Sequence, residues 1–333
     1  MASIRDVAKE AKVGVGTVSR ALNGTGYVSP ETKKKIEKAV KRLEYTPNEL
    51  ARNLYRNRTG IVGVIVPDLN HPFFACLAKH IEMELYRQGY KTMICNTVGI
   101  SDREQDYLDM LERNMVDGII TGSHCLDGEA YLRQKKPIVS IDRDFGSQIP
   151  IVGSDHAMGG RLAAGLLLDS GCRKVLQVSG VSPNIVANER HAVFRQMMKE
   201  QGAEILDVVM DWNIFDWDAH YQMAEEFFRK HPDIDGVFSG DMGAVACMNV
   251  ALQKGISIPE ELCLVGFDAT SLTRMVYPRV TAIGQNVELL AELSVNTLLD
   301  MVEQRKNVPH RQILDVRIQH GETTKPGKVR TEL

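Results

Sequence analysis

The sequence predicts an α/β protein with a small all-helical head, on three observations. Residues 1–46 carry helical periodicity. From residue 60 onward, short β-branched apolar runs alternate with longer amphipathic segments, a pattern typical of buried parallel strands joined by helices. The length of 333 residues exceeds one ordinary core and favours two or three domains. We therefore expect a helical head followed by two doubly wound parallel-sheet subdomains.

Seven segments of the larger region are strand-like, and the spaces between them fit helices. They are IVGVIVP, TMIC, GIIT, PIVSID, VLQVSG, GVFSG and CLVGFD. The segments DGIITG (117–122) and DGVFSG (235–240) share one pattern, which indicates two similar halves. Because ligands of doubly wound folds bind beyond the carboxyl ends of the strands, we expect a ligand cleft between the halves.

Composition bounds the class of protein. A hydrophobic content of 44% and a charged content of 25% are those of a soluble globular chain. No apolar run approaches the roughly 20 residues of a membrane span, and the N-terminus lacks the apolar core of a signal peptide. The six cysteines are scattered without a CxxC pair. We therefore expect a cytoplasmic protein with no membrane partner, no disulfide frame and no metal site.

The net charge of −3 hides a basic head on an acidic body. Residues 1–60 hold 13 Lys and Arg against 6 Asp and Glu, and the rest of the chain holds 27 against 37. A basic module joined to an acidic body is typical of a protein that binds a polyanion. A merely solvated basic face is the alternative that charge alone leaves open.

Three short helices are predicted in the head. The first covers about 4–10 and the second about 15–22, with a tight turn at 11–14 between them. We expect Ser29 to cap the third helix, with Pro30 at its first position, the favoured arrangement at a helix start. The first two helices and their turn have the spacing of a helix-turn-helix.

The second helix presents a nearly bare outer face. Val15 and Ser19 are four residues apart, as are Gly16 and Arg20, so all four share that face. Small residues let the helix backbone approach a partner, and Arg20 can place its guanidinium on guanine O6 and N7. Thr17 and Ser19 offer hydroxyls to phosphate oxygens. These features favour reading of double-stranded DNA in the major groove; an ordinary amphipathic helix pair is the alternative.

The segments IRDVAKEAKVGVGTVSRALN, YVSPET and LEYTPNELARNL resemble the head of the LacI/GalR family of bacterial transcriptional repressors, and the similarity continues to about residue 324. The resemblance implies that Val15 and Gly16 select the operator and that Arg20 reads bases. The positions that match backbone-contacting residues are Thr17, Ser19, Asn23, Ser29 and Thr32. The turn departs from the family pattern, because Lys12 stands where glycine is favoured and Gly14 replaces a serine cap. Lys12 is then a candidate for an added phosphate contact.

The segment TPNELARNLYRNR is similar to the hinge helix of that family, which orders on operator DNA. The resemblance implies that Leu54 enters the minor groove and kinks the duplex, with Asn48, Ala51 and Arg52 around it. By itself the segment is too short for a stable isolated helix. A plain tether is the alternative interpretation.

The resemblance also divides the chain and implies a body with the fold of periplasmic sugar-binding proteins. The expected boundaries are 1–46 for the DNA-binding domain, 47–59 for the hinge, 60–324 for the effector-binding and dimerisation body, and 325–333 for a tail. Within the body, the first subdomain is expected at about 60–156 and 286–313, and the second at about 157–285 and 314–324.

Nine residues of the body are candidates to contact the ligand, most of them because they match positions where the family contacts its own. They are His71, Phe73, Phe74, Asp142, Arg190, Trp217, Asp241, Asp268 and Gln285. Asp142 and Asp268 each end a predicted strand, where carboxylates can accept hydrogen bonds from sugar hydroxyls. Trp217 precedes an amphipathic helix and is expected to stack on a pyranose, whereas adjacent phenylalanines are more often core. Gly240 replaces an asparagine of the family, which implies a bulkier ligand and a changed role for Asp241.

The sequence predicts a regulator and no enzyme. Asp142 and Asp268 as a glycosidase pair are the catalytic alternative, but the motifs of hydrolases, zinc proteases and nucleotide-binding enzymes are missing. We therefore expect no catalytic residue and no cofactor. The hypothesis is a homodimeric repressor, with its dimer surface around the helix after PDLNHPFF and segment 92–115, controlled by a sugar or sugar phosphate in the cleft. The alternative is control by a phosphorylated carrier protein, with the cleft only modulatory.

Overall fold

The computed structural model describes residues 2–23, 26–45, 58–123, 125–181, 186–211, 216–305 and 307–326. The chain divides into one unit of Met1–Gly60 and a second of Ile61–Leu333, and each is described by itself. The predicted hinge positions Asn48, Ala51, Arg52 and Leu54 lie outside the described residues.

The first unit contains the three predicted helices. Helix α1 covers Ile4–Ala11, α2 covers Val15–Asn23 and α3 covers Pro30–Arg42. Ser3 caps α1 in a reciprocal arrangement, since the backbone N–H of Asp6 donates to the Ser3 hydroxyl and the Asp6 carboxylate accepts from the Ser3 N–H. Capping satisfies backbone donors that a helix start leaves unpaired, which is why so short a helix begins sharply at this point.

The turn between α1 and α2 places a lysine in the left-handed region, as the sequence predicted. Lys12 ends α1 with φ of 55° and ψ of 43°. The N–H of Val13 then donates to the carbonyl of Ala8 over 3.0 Å, which closes the helix end. A residue with a Cβ is strained in this conformation, and glycine relieves the strain.

The core of the head is small and is shared by all three helices. Its buried members are Val7, Ala8, Ala11, Val18, Ile36 and Ala39. Val18 is fully buried, although it belongs to the helix with the bare outer face. Val18 therefore anchors α2 and leaves the opposite side of that helix exposed.

The second unit alternates strands and helices, as predicted. The strands are β1 (Ile61–Val66), β2 (Lys91–Asn96), β3 (Gly118–Thr121), β4 (Ile138–Ile141), β5 (Ile151–Ser154), β6 (Lys174–Val181), β7 (Glu204–Asp211), β8 (Gly236–Phe238), β9 (Cys263–Asp268), β10 (Thr281–Gly284), β11 (Arg311–Leu314) and β12 (Arg317–Gln319). The helices are α4 (Pro72–Arg87), α5 (Ser101–Met110), α6 (Gly128–Leu132), α7 (His156–Asp169), α8 (Glu189–Glu200), α9 (Trp217–Lys230), α10 (Asp241–Gln253), α11 (Leu272–Met275) and α12 (Val287–Val302). None of the described helices is long and apolar enough to cross a membrane.

Within the described residues these strands form two six-stranded sheets of the same design. The first sheet has the order β11-β5-β4-β3-β1-β2 and the second has the order β12-β10-β9-β8-β6-β7. All pairs are parallel except β10 with β12. The strands of the repeated DGIITG and DGVFSG pattern, β3 and β8, hold the same place in their sheets. The prediction of two similar doubly wound halves is confirmed.

Each sheet is buried on both faces, which explains the continuous apolar runs. Val64 and Ile65 are adjacent in β1 and pack into different clusters, one with α4 and α12 and the other with α5 and α6. Val237 and Phe238 divide in the same way in the second sheet. A strand covered on both faces needs apolar residues at every position rather than at alternate ones.

The chain passes from one sheet to the other at three places. It leaves the first sheet after β5 through Asp155, returns at 285–286 into α12, and leaves again at 315–316 between β11 and β12. Leu314, the last residue of β11, pairs with Ser154 of β5. Strand β11 therefore belongs to the first sheet over its whole length. These passages bring Gln285 to the boundary between the two halves.

Candidate functional site

The exposed face of α2 carries an accessible backbone and one long cation. A Cβ built at Gly16 meets no atom within 4 Å, so space outside the helix is open at this point. Val15 and Arg20 are exposed beside it, and Arg20 donates from Nε to the Gly16 carbonyl over 3.2 Å. This face can approach the edge of a base pair closely, with a guanidinium in position to donate to it.

The hydroxyls predicted to contact a DNA backbone lie on α2 and at the start of α3. Thr17 and Ser19 are half-buried on α2. The Ser29 hydroxyl accepts from the Thr32 N–H over 3.3 Å and donates to Thr32 Oγ1 over 2.8 Å. Ser29 is therefore the predicted N-cap of α3. The side chain of Asn23 is outside the described part of the structure.

The structure brings seven of the predicted effector residues together in one cavity of about 130 Å³. The cavity lies at the carboxyl ends of strands from both sheets, since Asp142 follows β4 and Asp268 ends β9. The predicted residues that line it are His71, Phe73, Phe74, Asp142, Arg190, Asp268 and Gln285. Parallel strands direct these ends toward one space, as the topology of the sheets requires.

The Asp142 carboxylate is held in place by groups of the first sheet and of α7. Its Oδ1 accepts from the Ser154 N–H over 2.9 Å and lies 3.0 Å from Nε2 of His156. Burial by itself raises the pKa of Asp142, but His156 and the Ser154 amide outweigh burial and lower the pKa below its usual value. Asp142 therefore stays ionised and can accept hydrogen bonds from a ligand.

Arg190 is the guanidinium of the cavity, and its surroundings fix its position. Its Cζ lies 4.2 Å from the ring centroid of Phe267, a cation–π contact. A nitrogen of the guanidinium lies 3.5 Å from Nδ1 of His156. Gly160 of α7 touches the backbone carbonyl of Arg190, and there is no room for a Cβ there. The close approach of α7 thus sets the start of α8, from which Arg190 extends.

Gln285 connects the two sheets at the edge of the cavity. Its Nε2 donates to Oδ1 of Asp268 over 2.7 Å, and its Oε1 accepts from the Ser154 hydroxyl over 2.6 Å. Ser154 ends β5 in the first sheet and Asp268 ends β9 in the second. Burial raises the pKa of Asp268 to about 6, although Arg190 and Gln285 oppose the rise.

Four histidines line the cavity within the described residues, and the sequence pointed to only one of them. They are His71, His156, His191 and His220. Burial lowers the pKa of His71 to about 3, with further lowering by His220 and Arg190. Burial also lowers the pKa of His191 and of His220. These three imidazoles are neutral at neutral pH, so each offers one donor and one acceptor.

The tautomer of His191 follows from its neighbour. Its Nε2 accepts from Nε of Arg190 over 3.3 Å, so the ring proton is assigned to Nδ1. That Nδ1, like Nδ1 of His220, is buried and has no hydrogen-bond partner in the part of the chain that the structure describes. Buried polar atoms are normally bonded, so a ligand hydroxyl is the natural partner for both nitrogens.

The aromatic pair Phe73 and Phe74 is both core and cavity wall. The two rings are buried and meet edge to face with centroids 5.2 Å apart. They belong to the core cluster of the first sheet and also line the cavity. The interpretation of the pair as core is therefore confirmed, and contact of the two rings with a ligand stays a prediction.

Two predicted residues, Trp217 and Asp241, are not among those that line the cavity. Trp217 begins α9, is 36% exposed and lies 6.2 Å from the ring of Tyr221, so its stacking on a ligand stays a prediction. The Asp241 carboxylate accepts from the backbone N–H of Thr270 over 2.6 Å and from that of Ala269 over 3.3 Å. Asp241 thus holds the loop after β9.

The polar side chains of the described lining are donors and acceptors of hydrogen bonds. The described residues contain no group of three or more His, Cys, Asp or Glu side chains able to hold a metal ion. The histidines that the sequence missed are His156, His191 and His220. Each lies near the start of a helix, and the sequence around it does not indicate which way the side chain faces. Only the packing of those helices shows that they face one space.

The head and the body each match a described family. Residues 3–48 match bacterial regulatory proteins, lacI family, and residues 164–324 match the periplasmic binding protein-like domain. The ribose operon repressor of Halalkalibacterium halodurans is 35% identical over 329 residues, which are 98% of this chain and 98% of that protein. The sucrose operon repressor of Streptococcus mutans is 37% identical over 325 residues, which are 97% of this chain and 99% of that protein.

A solved structure matches along the same length. The transcriptional regulator CelR in complex with cellobiose has a TM-score of 0.71 and 26% identity, and the match covers 97% of this chain and 100% of that one. The match therefore extends over both the helical head and the two-sheet body.

Proposed function

Because the chain belongs to the lacI family of bacterial regulatory proteins, we propose that it is a cytoplasmic transcriptional repressor whose affinity for operator DNA is controlled by a sugar or sugar phosphate. The observation that carries the proposal is the cavity at the strand ends of both sheets, with Asp142, Arg190 and Asp268 on its wall. Relatives along the full length are repressors of ribose and sucrose operons, and a similar structure holds cellobiose. The chain is a regulator and not an enzyme.

On the DNA side, α2 is the reading helix. Val15, Gly16 and Arg20 meet base edges, because the open space at Gly16 lets the backbone come close. Contacts from the hydroxyls to phosphates fix the register without reading sequence. The residues whose side chains we assign to the phosphate backbone of the DNA are Thr17, Ser19, Asn23, Ser29 and Thr32. In the hinge, Leu54 enters the minor groove beside Asn48, Ala51 and Arg52.

On the effector side, the carboxylates and imidazoles of the cavity hold sugar hydroxyls. Asp142 and Asp268 accept from hydroxyls, and Arg190 donates to them. Phe73 and Phe74 give the apolar wall on which a sugar ring packs. His71 and Gln285 complete the set of predicted residues that line this space, and Trp217 is a candidate to reach it when the cleft closes.

The link from ligand to DNA is the boundary that Gln285 spans. A ligand that engages Asp142 of the first half and Asp268 of the second draws both carboxylates toward one molecule. The bonds of Gln285 to Ser154 and Asp268 are then stretched or replaced, and one half shifts against the other. A coupling of about 1–3 kcal/mol corresponds to a change of roughly 5–150-fold in DNA affinity.

The repressor acts as a homodimer whose contact lies on α4 and β2. Strand β2 is the outer strand of the first sheet, and Ile94 within it is 43% exposed. Tyr86, near the end of α4, is 75% exposed. An outer strand is open to pairing with another chain, and exposed apolar side chains on it mark a surface for association. Two heads can then read the halves of a near-palindromic operator.

The test uses the full chain and its own preferred DNA. A duplex enriched from a random pool by the purified protein is titrated without ligand and then with saturating sucrose, ribose or cellobiose. We expect one sugar to change the affinity for the duplex by roughly 5–150-fold. Unchanged affinity with every sugar, together with a change on adding a phosphorylated carrier protein, would support the alternative regulator and reject sugar control.

A further inference from the structure

Among the described residues that line the cavity, carboxylates outnumber guanidinium and ammonium groups. Arg190 is the one Lys or Arg side chain among the described residues that line it, whereas Asp142, Asp211 and Asp268 all line it. Three carboxylates therefore share the described part of the lining with one guanidinium.

The guanidinium is already neutralised by its surroundings. The charges of Asp268, Asp142 and Asp241, in that order, act on Arg190 and favour its ionised form against burial. Phe267 covers one face of the guanidinium at 4.2 Å. A phosphate monoester carries about −1.5 to −2 charges at neutral pH and would have to compete with the carboxylates of Asp142 and Asp268 for this guanidinium.

Helix starts, the other usual place for a phosphate, are also occupied. Four helices that begin at the cavity carry an acidic residue in the N-cap or first turn. These residues are Asp155 at α7, Glu189 at α8, Asp216 at α9 and Asp241 at α10. A fifth helix, α4, has Pro72 at its first position, which has no N–H to donate. At α7 and α9 the carboxylates of Asp155 and Asp216 accept from the backbone N–H groups of Met158 and Ala219, so these two positive helix ends already hold a negative charge.

The uncharged polar groups of the cavity suit hydroxyls. His191 and His220 have buried Nδ1 atoms without a partner among the described residues. Ser179 and Ser239 lie on the same wall, from β6 and from the end of β8. A hydroxyl donates and accepts at once, so it can satisfy a neutral imidazole and a carboxylate together. A phosphate oxygen at neutral pH only accepts.

We propose that the cavity binds an uncharged sugar and rejects the phosphate monoester of the same sugar, an inference that rests on the proposed function. The excess of carboxylates and the acidic helix starts exclude the phosphate, and the hydroxyl-matching groups hold the ring. This assigns sugars and excludes sugar phosphates as the effector class.

The test is calorimetric titration of the full chain with sucrose, ribose and cellobiose, each paired with its phosphate monoester. We expect the neutral member of at least one pair to bind at least about 100-fold more tightly than its phosphate. A phosphate that binds as tightly as its neutral sugar, or more tightly, overturns the inference and leaves sugar control in place. Absence of binding in all pairs rejects the proposed function and the inference with it.

A single substitution tests whether charge, rather than the shape of the cavity, causes the preference for the neutral sugar. Asp211→Asn removes one negative charge at the exposed end of β7. We expect it to reduce the preference for the neutral sugar by about tenfold. Asp207→Asn is the matched control on the same strand, because Asp207 pairs with Arg195 away from the cavity lining. An unchanged preference in Asp211→Asn, or an equal reduction in both variants, overturns the electrostatic cause.

Discussion

Gln285 donates a 2.7 Å hydrogen bond from Nε2 to Oδ1 of Asp268. The bond fixes the orientation of the amide, so that the opposite end accepts from the Ser154 hydroxyl over 2.6 Å. One side chain at a passage between the two sheets therefore ties the last residue of β5 to the last residue of β9. Asp268 is at once a proposed ligand group and a member of this tie, so we expect its ionisation to affect both binding and stability.

The first prediction concerns the cost of ionising Asp268. Its pKa is raised to about 6 in the folded protein, above the usual value, so its favourable contribution is present at low pH and lost as the pH rises through about 6. Asp268→Asn removes that loss, and asparagine tolerates the positive φ of 101°. We expect a higher free energy of unfolding than wild type at about pH 8 and little difference at about pH 4, measured by denaturant unfolding.

The same variant is expected to bind sugar at least about tenfold more weakly, because an amide replaces a carboxylate acceptor. Asp207→Asn, an exposed aspartate paired with Arg195, serves as the control and should change neither property. A loss of stability in Asp268→Asn at both pH values would contradict the assigned burial cost.

A second prediction separates two residues of α9. His220 lines the cavity and Trp217, three residues earlier, does not. We expect His220→Ala to weaken sugar binding by at least about tenfold, since a buried ligand partner is lost, and Trp217→Ala to weaken it less. Calorimetric titration of both variants with the same sugar measures the difference. A larger loss in Trp217→Ala would mean that the indole enters the cavity when ligand binds.

A third prediction concerns the turn of the head. Lys12→Gly removes the strain of a side chain at φ of 55° and is expected to raise the stability of the head by about 1 kcal/mol. Lys9→Gly, inside α1, is the matched control and should lower it by about 1 kcal/mol. Amide hydrogen exchange of the head in the full chain reports both. If Lys12 also contacts phosphate, Lys12→Gly reduces the salt dependence of DNA binding as well.

A fourth prediction tests base reading by Arg20. Arg20→Ala is expected to cost about 1–3 kcal/mol of discrimination between the enriched duplex and a scrambled one, while sugar affinity stays unchanged. Lys41→Ala, which removes an exposed charge in the last turn of α3, should preserve discrimination. Competition titration with both duplexes gives the two affinities. Equal discrimination in Arg20→Ala and wild type would remove Arg20 from the reading face.

A fifth prediction concerns the homodimer. Ile94→Lys places a charge on the outer strand of the first sheet and is expected to weaken the dimer by at least about tenfold, as measured by sedimentation. Val209→Lys is the matched control, because Val209 is 56% exposed on β7, the outer strand of the second sheet. Dissociation by Val209→Lys and not by Ile94→Lys would move the interface to the other sheet.

The sequence predicted best those parts of the fold that local rules govern. The three head helices and the central strands followed from caps and from apolar runs covered on both faces. Strands β5, β7, β10, β11 and β12 were missed. Of these, β7, β11 and β12 are outer strands of their sheets, where burial alternates or is partial, and β5 and β10 are buried runs of only four residues. A half-exposed strand of four residues has too little apolar signal to stand out from a loop.

Some residues of the candidate site could likewise be placed from the sequence, and others could not. Asp142 and Asp268 could be placed by sequence, since each follows an apolar run that must end at the same edge of its sheet. The choice between Trp217 and His220 could not, because residues three apart share one face of a helix and the pattern gives both the same direction. How far α9 extends along its sheet decides which side chain reaches the cavity.

By itself, then, the sequence determined the head helices, the central strands, the bare face of α2 and the strand ends that carry the carboxylates. Only the tertiary structure decided that histidines as far apart as His71 and His220 line one space, that Asp241 holds a loop instead, and that acidic residues occupy the helix starts around the cavity. Periodicity reports whether a face is buried, whereas the meeting of distant helix ends depends on where the chain passes between the sheets.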